Sequence, residues 1–348
     1  MSTIEQLLLQ SPRDEDRHVF DRTNSHTAAE LLEDMRFRRI GGIAMAIAQP
    51  HGGLSLEETL EAGKAPIVRF LPWGNNAVRG DFNQPLQTQL VAEFAGRPVI
   101  AMSSPSLGST LDLSREDRAI VGQGDFSPVA REMLSSLREL TEHKMARVAF
   151  MGASQGATFG IATAAEALDK SEFEAIKSVL ALGLPNVKER SRAELMRDFS
   201  KAGQKELYET LVRGGVPQLL AALHLSLLEP KPPLRFSVET TAKMLRHPVL
   251  GYALSGGMGK VENTWENDIP MILKHDVPLT LVSEGQGAIM PTDALEERVA
   301  ELEANREALG LDARMLGNLS LVSVWGNHTI GDHMPTIAAL LSRYRELN

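Results

Sequence analysis

The chain has 348 residues, of which 43% are hydrophobic and 23% charged, a composition typical of globular proteins rather than disordered or fibrous ones. The formal net charge is −9, and no cluster of Lys and Arg interleaved with aromatic residues is present, so nucleic acid is not an expected partner. The absence of cysteine excludes disulfides, thiolate metal sites and a cysteine nucleophile. It is typical of cytoplasmic proteins, and we expect this location.

The N-terminal forty residues are charged, and their pattern predicts peripheral helix, as in "HTAAELLEDMRFRR" at residues 26–39. They lack a basic start followed by an apolar stretch, so we expect no secretion signal. The longest apolar span, which starts at Gly41, is too short to cross a bilayer, so no membrane span is predicted. The nine histidines show no short helical metal-ligand spacing, so we expect neither a metal nor another cofactor.

From Ala65 onward, apolar runs alternate with helical stretches. The runs "APIVRF", "RPVIAM", "RVAFM", "SVLALG", "VPLTLVSE" and "LSLVSVW" are typical of buried strands, and stretches such as "PLQTQLVAEFAG" lie between them. This alternation predicts an α/β protein with a mostly parallel sheet flanked by helices.

The alternation stops between about Val187 and Pro270, where helix-like segments dominate. We therefore predict a core formed by residues 1–187 and 271–348, with residues 188–270 inserted as a helical cap. The segment "VPQLLAALHLSLL" is apolar nearly all round, which suits either a helix facing a pocket or the plain interior of the cap.

The pentapeptide at 152–156, "GASQG", matches the pattern G-x-S-x-G. The pattern alone is a weak signal, but it requires a strand before it and a helix after it, and both are predicted here. Two interpretations compete: a tight connection in which the serine only caps the helix, or a corner that holds Ser154 out for chemistry. A helix N-terminus beneath the serine favours a developing oxyanion, so we predict Ser154 as a nucleophile.

These features resemble the α/β-hydrolase superfamily, over roughly residues 65–185 and 277–348. "FLPWGNN" is similar to the loop after the third strand, where a His-Gly pair usually precedes an oxyanion-hole residue. Here Leu71 and Pro72 replace that pair and leave Trp73 in the oxyanion position. "PSLGST" resembles the segment after the fourth strand. The resemblance implies an oxyanion hole made by the backbone N–H groups of Trp73 and Gln155.

A serine nucleophile needs a base, and His328 is the predicted one. It follows the strand "LSLVSVW" and the turn Gly326-Asn327, and the stretch "DHMPTIAALL" after it resembles the family's sequence beyond the catalytic histidine. The alternative is a loop histidine without a role.

The third member of a triad is harder to assign. The family usually holds an aspartate four residues before a proline after the seventh strand, and Gly287 stands in that place. Glu284 is the first choice, because it leaves the same strand with a longer side chain. Asp293 is the alternative, although the first turn of the next helix gives it a role beside the helix dipole. Some relatives place the acid after the sixth strand, where this chain has Asn186, with Glu189 a remote candidate.

The sequence therefore predicts a serine hydrolase that performs acyl transfer on a small or medium carboxylic ester or thioester. The expected partner is this small-molecule substrate. Two alternatives stay open: a catalytically impaired binding protein on the same fold, and a non-hydrolytic enzyme such as a lyase or a cofactor-free oxidoreductase.

Overall fold

In the computed structural model the described residues are 34–73, 77, 84–105, 111, 113–195, 197, 198, 248–284 and 291–324. They contain an eight-stranded sheet. Its strands are β1 (Arg36–Ile40), β2 (Ile43–Ala48), β3 (Ile67–Phe70), β4 (Val99–Met102), β5 (Arg147–Ala153), β6 (Ala175–Leu182), β7 (Leu279–Glu284) and β8 (Leu319–Val324).

The spatial order of the strands is β1-β2-β4-β3-β5-β6-β7-β8. β2 runs antiparallel to both β1 and β4, whereas every neighbouring pair from β4 to β8 is parallel. This confirms the predicted mostly parallel sheet. Because parallel strands end on the same edge, the C-terminal ends of β3, β5, β7 and β8 all lie at the edge where such sheets bind their ligands.

The helix predicted to extend through residue 39 is wrong at its C-terminal end, since Arg36–Ile40 is the edge strand β1. The residues of β1 are mostly exposed, so its charged side chains follow no period of two that would indicate a strand. Its partner β2 is buried throughout, and pairing with β2 holds these charged residues in the sheet.

Helices cover both faces of the sheet. They are α1 (Leu56–Glu61), α2 (Gln84–Ala95), α3 (Arg115–Gly122), α4 (Ser127–Leu140), α5 (Gln155–Asp169), α6 (Pro248–Gly257), α7 (Ile269–Lys274), α8 (Thr292–Ala304) and α9 (Ala313–Leu316). Strand alternation divides the apolar core: Val68 and Phe70 of β3 pack in one layer, and Ile67 lies in the other, with α2.

The C-terminal part of the predicted cap lies against the core. α6 packs on α3, and a π-helical turn, Thr264–Asp268, packs with α7 on α5. Residues 199–247, which include "VPQLLAALHLSLL", lie outside the described residues. The cap and its boundaries at 188 and 270 therefore stay predictions.

Within the described ranges, no helix combines the length and the hydrophobicity that a bilayer crossing needs. The same ranges contain no group of three or more His, Asp or Glu side chains arranged to hold a metal ion.

Candidate active site

Ser154 occupies the corner between β5 and α5. Its backbone has φ 53° and ψ −128°, a conformation that L-residues rarely adopt. Such strain costs about 1–3 kcal/mol and persists only where the surroundings enforce it. Only 6% of the residue is exposed. A sharp, strained strand-to-helix turn is the geometry that the G-x-S-x-G pattern requires.

Two glycines make this corner sterically possible. A Cβ on Gly152 would lie 2.0 Å from the carbonyl oxygen of Gly156, and a Cβ on Gly156 would lie 2.2 Å from that of Phe70. Both separations are far inside van der Waals contact, and the atoms met are backbone. The two glycines therefore let the start of α5 touch β5 and the end of β3 at once.

Backbone hydrogen bonds fix the corner from both sides. The Ser154 N–H donates to the carbonyl of Leu182 at the end of β6 (2.7 Å), and the Ser154 carbonyl accepts from Ala157 N–H (2.8 Å). Gln155 is the first residue of α5, so its N–H has no acceptor within the helix. That N–H and the positive end of the helix dipole favour a negative charge beside the serine.

The Gln155 side chain ties the corner to β4. It is fully buried, and its Oε1 lies 3.0 Å from the hydroxyl of Ser104, two residues after the end of β4. Its Nε2 is buried and finds no acceptor in the described part of the chain. A buried donor left without an acceptor would cost about 1–3 kcal/mol.

Trp73 lies just beyond β3 with its indole in the main apolar core, 7% exposed. Leu71 N–H donates to the Met102 carbonyl (3.1 Å), which extends the β3–β4 pairing by one residue. Further on, Ala77 N–H donates to Ser103 Oγ (2.8 Å) just after β4. Leu71 before Trp73 and Ala77 after it are thus both hydrogen-bonded to the end of β4 or the residue that follows it.

The two other residues predicted for a triad are Glu284 and His328. Glu284 closes β7 and is in register with Val324, the last residue of β8, and His328 follows four residues later. His328 and the side chain of Glu284 lie outside the described residues, so both roles stay predictions. Asp293 is exposed in the first turn of α8, where its Oδ1 accepts from Ala294 N–H (2.9 Å).

The residues after β6 are engaged elsewhere. Asn186 is fully buried, and its Nδ2 donates to the carbonyls of Gly257 (3.2 Å) and Lys260 (2.6 Å). Its backbone carbonyl accepts from Trp265 Nε1 (2.6 Å). Asn186 therefore fastens the end of α6 and the π-helical turn to the core. Glu189 pairs with Lys260 at the surface (2.5 Å).

A titratable group lies at the other end of α5. Burial raises the pKa of Asp268 to about 7, with a smaller contribution from the nearby Asp125. The Asp268 carboxylate accepts from Asn263 Nδ2 (3.2 Å). Its neighbour Glu166 lies eleven residues along α5 from Gln155, about 16 Å at helical rise, so this group is remote from Ser154.

Sequence reasoning missed Arg69 and Ser104. A charged residue inside the apolar run "IVRF" was the available signal for Arg69, since a buried charge needs partners from elsewhere in the chain. Ser104 had no such signal, because its contact with Gln155 spans 51 residues.

No protein-family model matches the chain, and no curated protein matches its sequence. Solved structures do match it. A hydrolase from Oleispira antarctica has TM-score 0.50 and 9% identity over 91% of this chain and 97% of its own. A candidate lipase from Acinetobacter baumannii has TM-score 0.50 and 10% identity over 98% of this chain and 100% of its own. At such identities the likeness concerns the fold: this chain has the α/β-hydrolase fold, which confirms the predicted class.

Proposed function

We propose that the protein is a serine hydrolase that transfers the acyl group of a small or medium carboxylic ester or thioester to water. The observation that carries the proposal is the backbone of Ser154, strained between two glycines that could not bear a Cβ, at the ligand-binding edge of an α/β-hydrolase sheet. A plain connecting turn needs no strained serine.

In the proposed reaction, His328 takes the hydroxyl proton of Ser154, and the Oγ attacks the carbonyl carbon of the substrate. The tetrahedral oxyanion accepts hydrogen bonds from the backbone N–H groups of Gln155 and Trp73. Collapse breaks the ester C–O or thioester C–S bond, and His328 gives its proton to the leaving alcohol or thiol. Water, deprotonated by His328, then attacks the acyl-enzyme and releases the carboxylic acid with Ser154 restored.

We propose Glu284 as the acid that orients the imidazole. The register of β7 with β8 supports this choice, because the strand that carries Glu284 ends beside the one that leads to His328. Asp293 is the weaker candidate, since its carboxylate caps the first turn of α8. Asn186 has no carboxylate and is fully hydrogen-bonded, which disfavours an acid after β6.

Chromogenic p-nitrophenyl esters of two, four and eight carbons test the proposal. We expect Ser154→Ala and His328→Ala to lower kcat by about 10⁴-fold or more, and Glu284→Gln by about 10²–10⁴-fold. Asp293→Asn serves as the matched carboxylate control, with activity within about twofold. Equal rates for the wild type and Ser154→Ala would remove the nucleophile from the proposal.

The second candidate function is ligand binding without turnover, favoured by Leu71 and Pro72 in place of the usual His-Gly pair. A fluorophosphonate probe separates the two, because it labels an activated serine irrespective of the natural substrate. Labelling of wild type but not of Ser154→Ala supports the hydrolase, and no labelling supports a binding protein.

We also propose that the protein is located in the cytoplasm. Fractionation of cells that produce the tagged chain tests this location.

A further inference from the structure

Arg69 is a fully buried cation in the middle of the sheet. It is the third residue of β3, in register with Ala101 of β4 and Met151 of β5, and only 1% of it is exposed. Burial lowers the pKa of its guanidinium to about 9. Within the described part of the chain no carboxylate pairs with it. A desolvated charge in such a place costs free energy, which its hydrogen bonds must offset.

All the partners of Arg69 among the described residues belong to the start of one helix. Its Nη1 donates to Thr88 Oγ1 (2.7 Å), and its Nη2 donates to the Oε1 atoms of Gln84 (2.9 Å) and Gln87 (3.0 Å). A longer contact joins Nη1 to the Gln84 carbonyl (3.4 Å). The planar guanidinium thus spans the first two turns of α2 and ties them to β3.

These contacts bracket the segment that holds Trp73. β3 ends one residue after Arg69, at Phe70, and α2 begins at Gln84. The Arg69 guanidinium therefore connects the strand before residues 71–83 to the helix after them. The carbonyls of Phe70 and Leu71 also face Gly156, as a Cβ there would lie 2.2 and 2.8 Å from them. A displacement of the chain at Phe70 and Leu71 is thus a displacement relative to the Ser154 corner.

We propose that Arg69 is a positioning residue for the oxyanion-binding segment: by holding the first turns of α2 on β3, it fixes the backbone N–H of Trp73 relative to Ser154. This inference rests on the proposed function. An oxyanion donor works only when it is preorganised at the position the developing charge will occupy, and an error of about 1 Å there costs roughly 10²-fold in rate.

Arg97 provides a matched control at the opposite end of the same helix. It lies two residues after α2, and its Nη1 donates to the carbonyl of Ala65, two residues before β3 (3.2 Å). Its guanidinium is also partly buried, and burial lowers its pKa. Both arginines therefore tie α2 to the β3 chain, but only Arg69 does so at the edge that carries Ser154.

The kinetic test compares Arg69→Met with Arg97→Met, assayed well below their melting temperatures. We expect Arg69→Met to lower kcat for p-nitrophenyl butyrate by about 10–100-fold with KM within about threefold, since the lost interaction acts in the transition state. A trifluoromethyl ketone, which forms a tetrahedral adduct with a serine, should lose affinity by a similar factor. Arg97→Met should stay within about twofold in both measurements. Equal losses in the two variants, or an unchanged ketone affinity in Arg69→Met, would overturn the proposal.

A second readout does not depend on turnover. The chain has three tryptophans, so 5-fluorotryptophan labelling should give three ¹⁹F resonances, and Trp73→Phe assigns one of them. Arg69→Met should shift or broaden the Trp73 resonance and leave that of Trp265 in place, whereas Arg97→Met should change neither. An unaltered Trp73 resonance in a folded Arg69→Met would overturn the proposal even if the wild type hydrolyses no ester.

Arg69→Lys keeps the inference falsifiable if Arg69→Met does not fold. A lysine retains the charge but cannot span three acceptors with a planar fork. It should therefore show the same fall in kcat and the same change at Trp73, and wild-type values in both would refute a role for the guanidinium geometry.

Discussion

Glycine brings backbone segments into direct contact in two regions of this molecule, which we name here the elbow contact and the α6 contact. The elbow contact consists of Gly152 and Gly156 against β3 and β5. In the α6 contact, a Cβ on Gly257 would lie 2.0 Å from the Val121 carbonyl, and one on Gly259 would lie 2.2 Å from that of Arg190. By steric criteria the two regions are equally tight.

The elbow contact and the α6 contact differ in the residues that they surround. The elbow contact surrounds a serine with φ 53°. The α6 contact surrounds residues in ordinary conformations and seats a helix on α3. Close packing of glycine therefore identifies a well-packed junction, and only the added backbone strain of a chemically capable side chain indicates a site.

The largest expected effect comes from Gly156→Ala in the elbow contact. The new methyl group would meet the Phe70 carbonyl, so α5 must move away from β3 and carry Ser154 with it. We expect a loss of about 3 kcal/mol or more in the free energy of unfolding, and a loss of esterase activity. Urea denaturation and steady-state kinetics measure the two. Full activity in the folded variant would contradict the steric account of the corner.

Gly257→Ala is the matching change in the α6 contact. Its methyl group would meet the Val121 carbonyl, so we expect a loss of about 2–3 kcal/mol in the free energy of unfolding. Because this contact carries no strained residue, kcat per folded molecule should stay within about threefold of wild type. A fall in kcat as large as that of Gly156→Ala would erase the distinction between the two regions.

The helical region around the α6 contact also has its own expected pH dependence. The folded-state pKa of Asp268 is raised to about 7, so the folded chain holds this proton more tightly than the unfolded chain does. The stabilisation that protonated Asp268 provides is therefore fully present below pH 4 and is lost as the pH rises through about 7. Asp268→Asn should then raise the free energy of unfolding by about 2–4 kcal/mol at pH 8, with little change at pH 4.

Urea denaturation of the Asp268 variant at both pH values measures this difference. Glu262→Gln, an exposed carboxylate in the same region, controls for the loss of one negative charge. If Asp268→Asn is less stable than the wild type at pH 8, then the ionised Asp268 carboxylate does not destabilise the folded protein.

The smallest change in the free energy of unfolding is expected from Ser154→Gly. Glycine adopts positive φ freely, so removal of the strain should stabilise the protein by about 1 kcal/mol while it abolishes ester hydrolysis. Ser154→Ala keeps the Cβ and should give no such gain. Thermal denaturation of both variants measures the difference, and equal stabilities would mean that the corner is unstrained.

Much of the fold could be predicted because its elements have local signals. Runs such as "IVRF" and "RVAFM" bury both faces, as strands of a covered parallel sheet must, and the Ser154 corner lies within a few consecutive residues. β1 could not be predicted, because its exposed arginines resemble a solvated helix and only pairing with β2 shows it to be a strand.

The part of the candidate site formed by residues close together in sequence could be predicted. The part formed by residues far apart in sequence could not. Ser154, Gln155 and their glycines lie within five residues, so a short pattern finds them. The partners of Arg69 come 15 to 19 residues later and carry amide or hydroxyl groups that signal nothing alone. The acid is obscure for another reason: Gly287 stands where the family pattern has its aspartate, so the choice of Glu284 depends on which strand ends meet.

Strand β1 also has a consequence for the protein at high concentration. Among the described strands it lies at the outer end of the sheet, and three arginines, Arg36, Arg38 and Arg39, are among its five residues. The unpaired N–H and C=O groups of an outermost strand can pair with the same strand of a second molecule, and such pairing leads to aggregation. Positive charge on this strand opposes the side-by-side pairing of two copies.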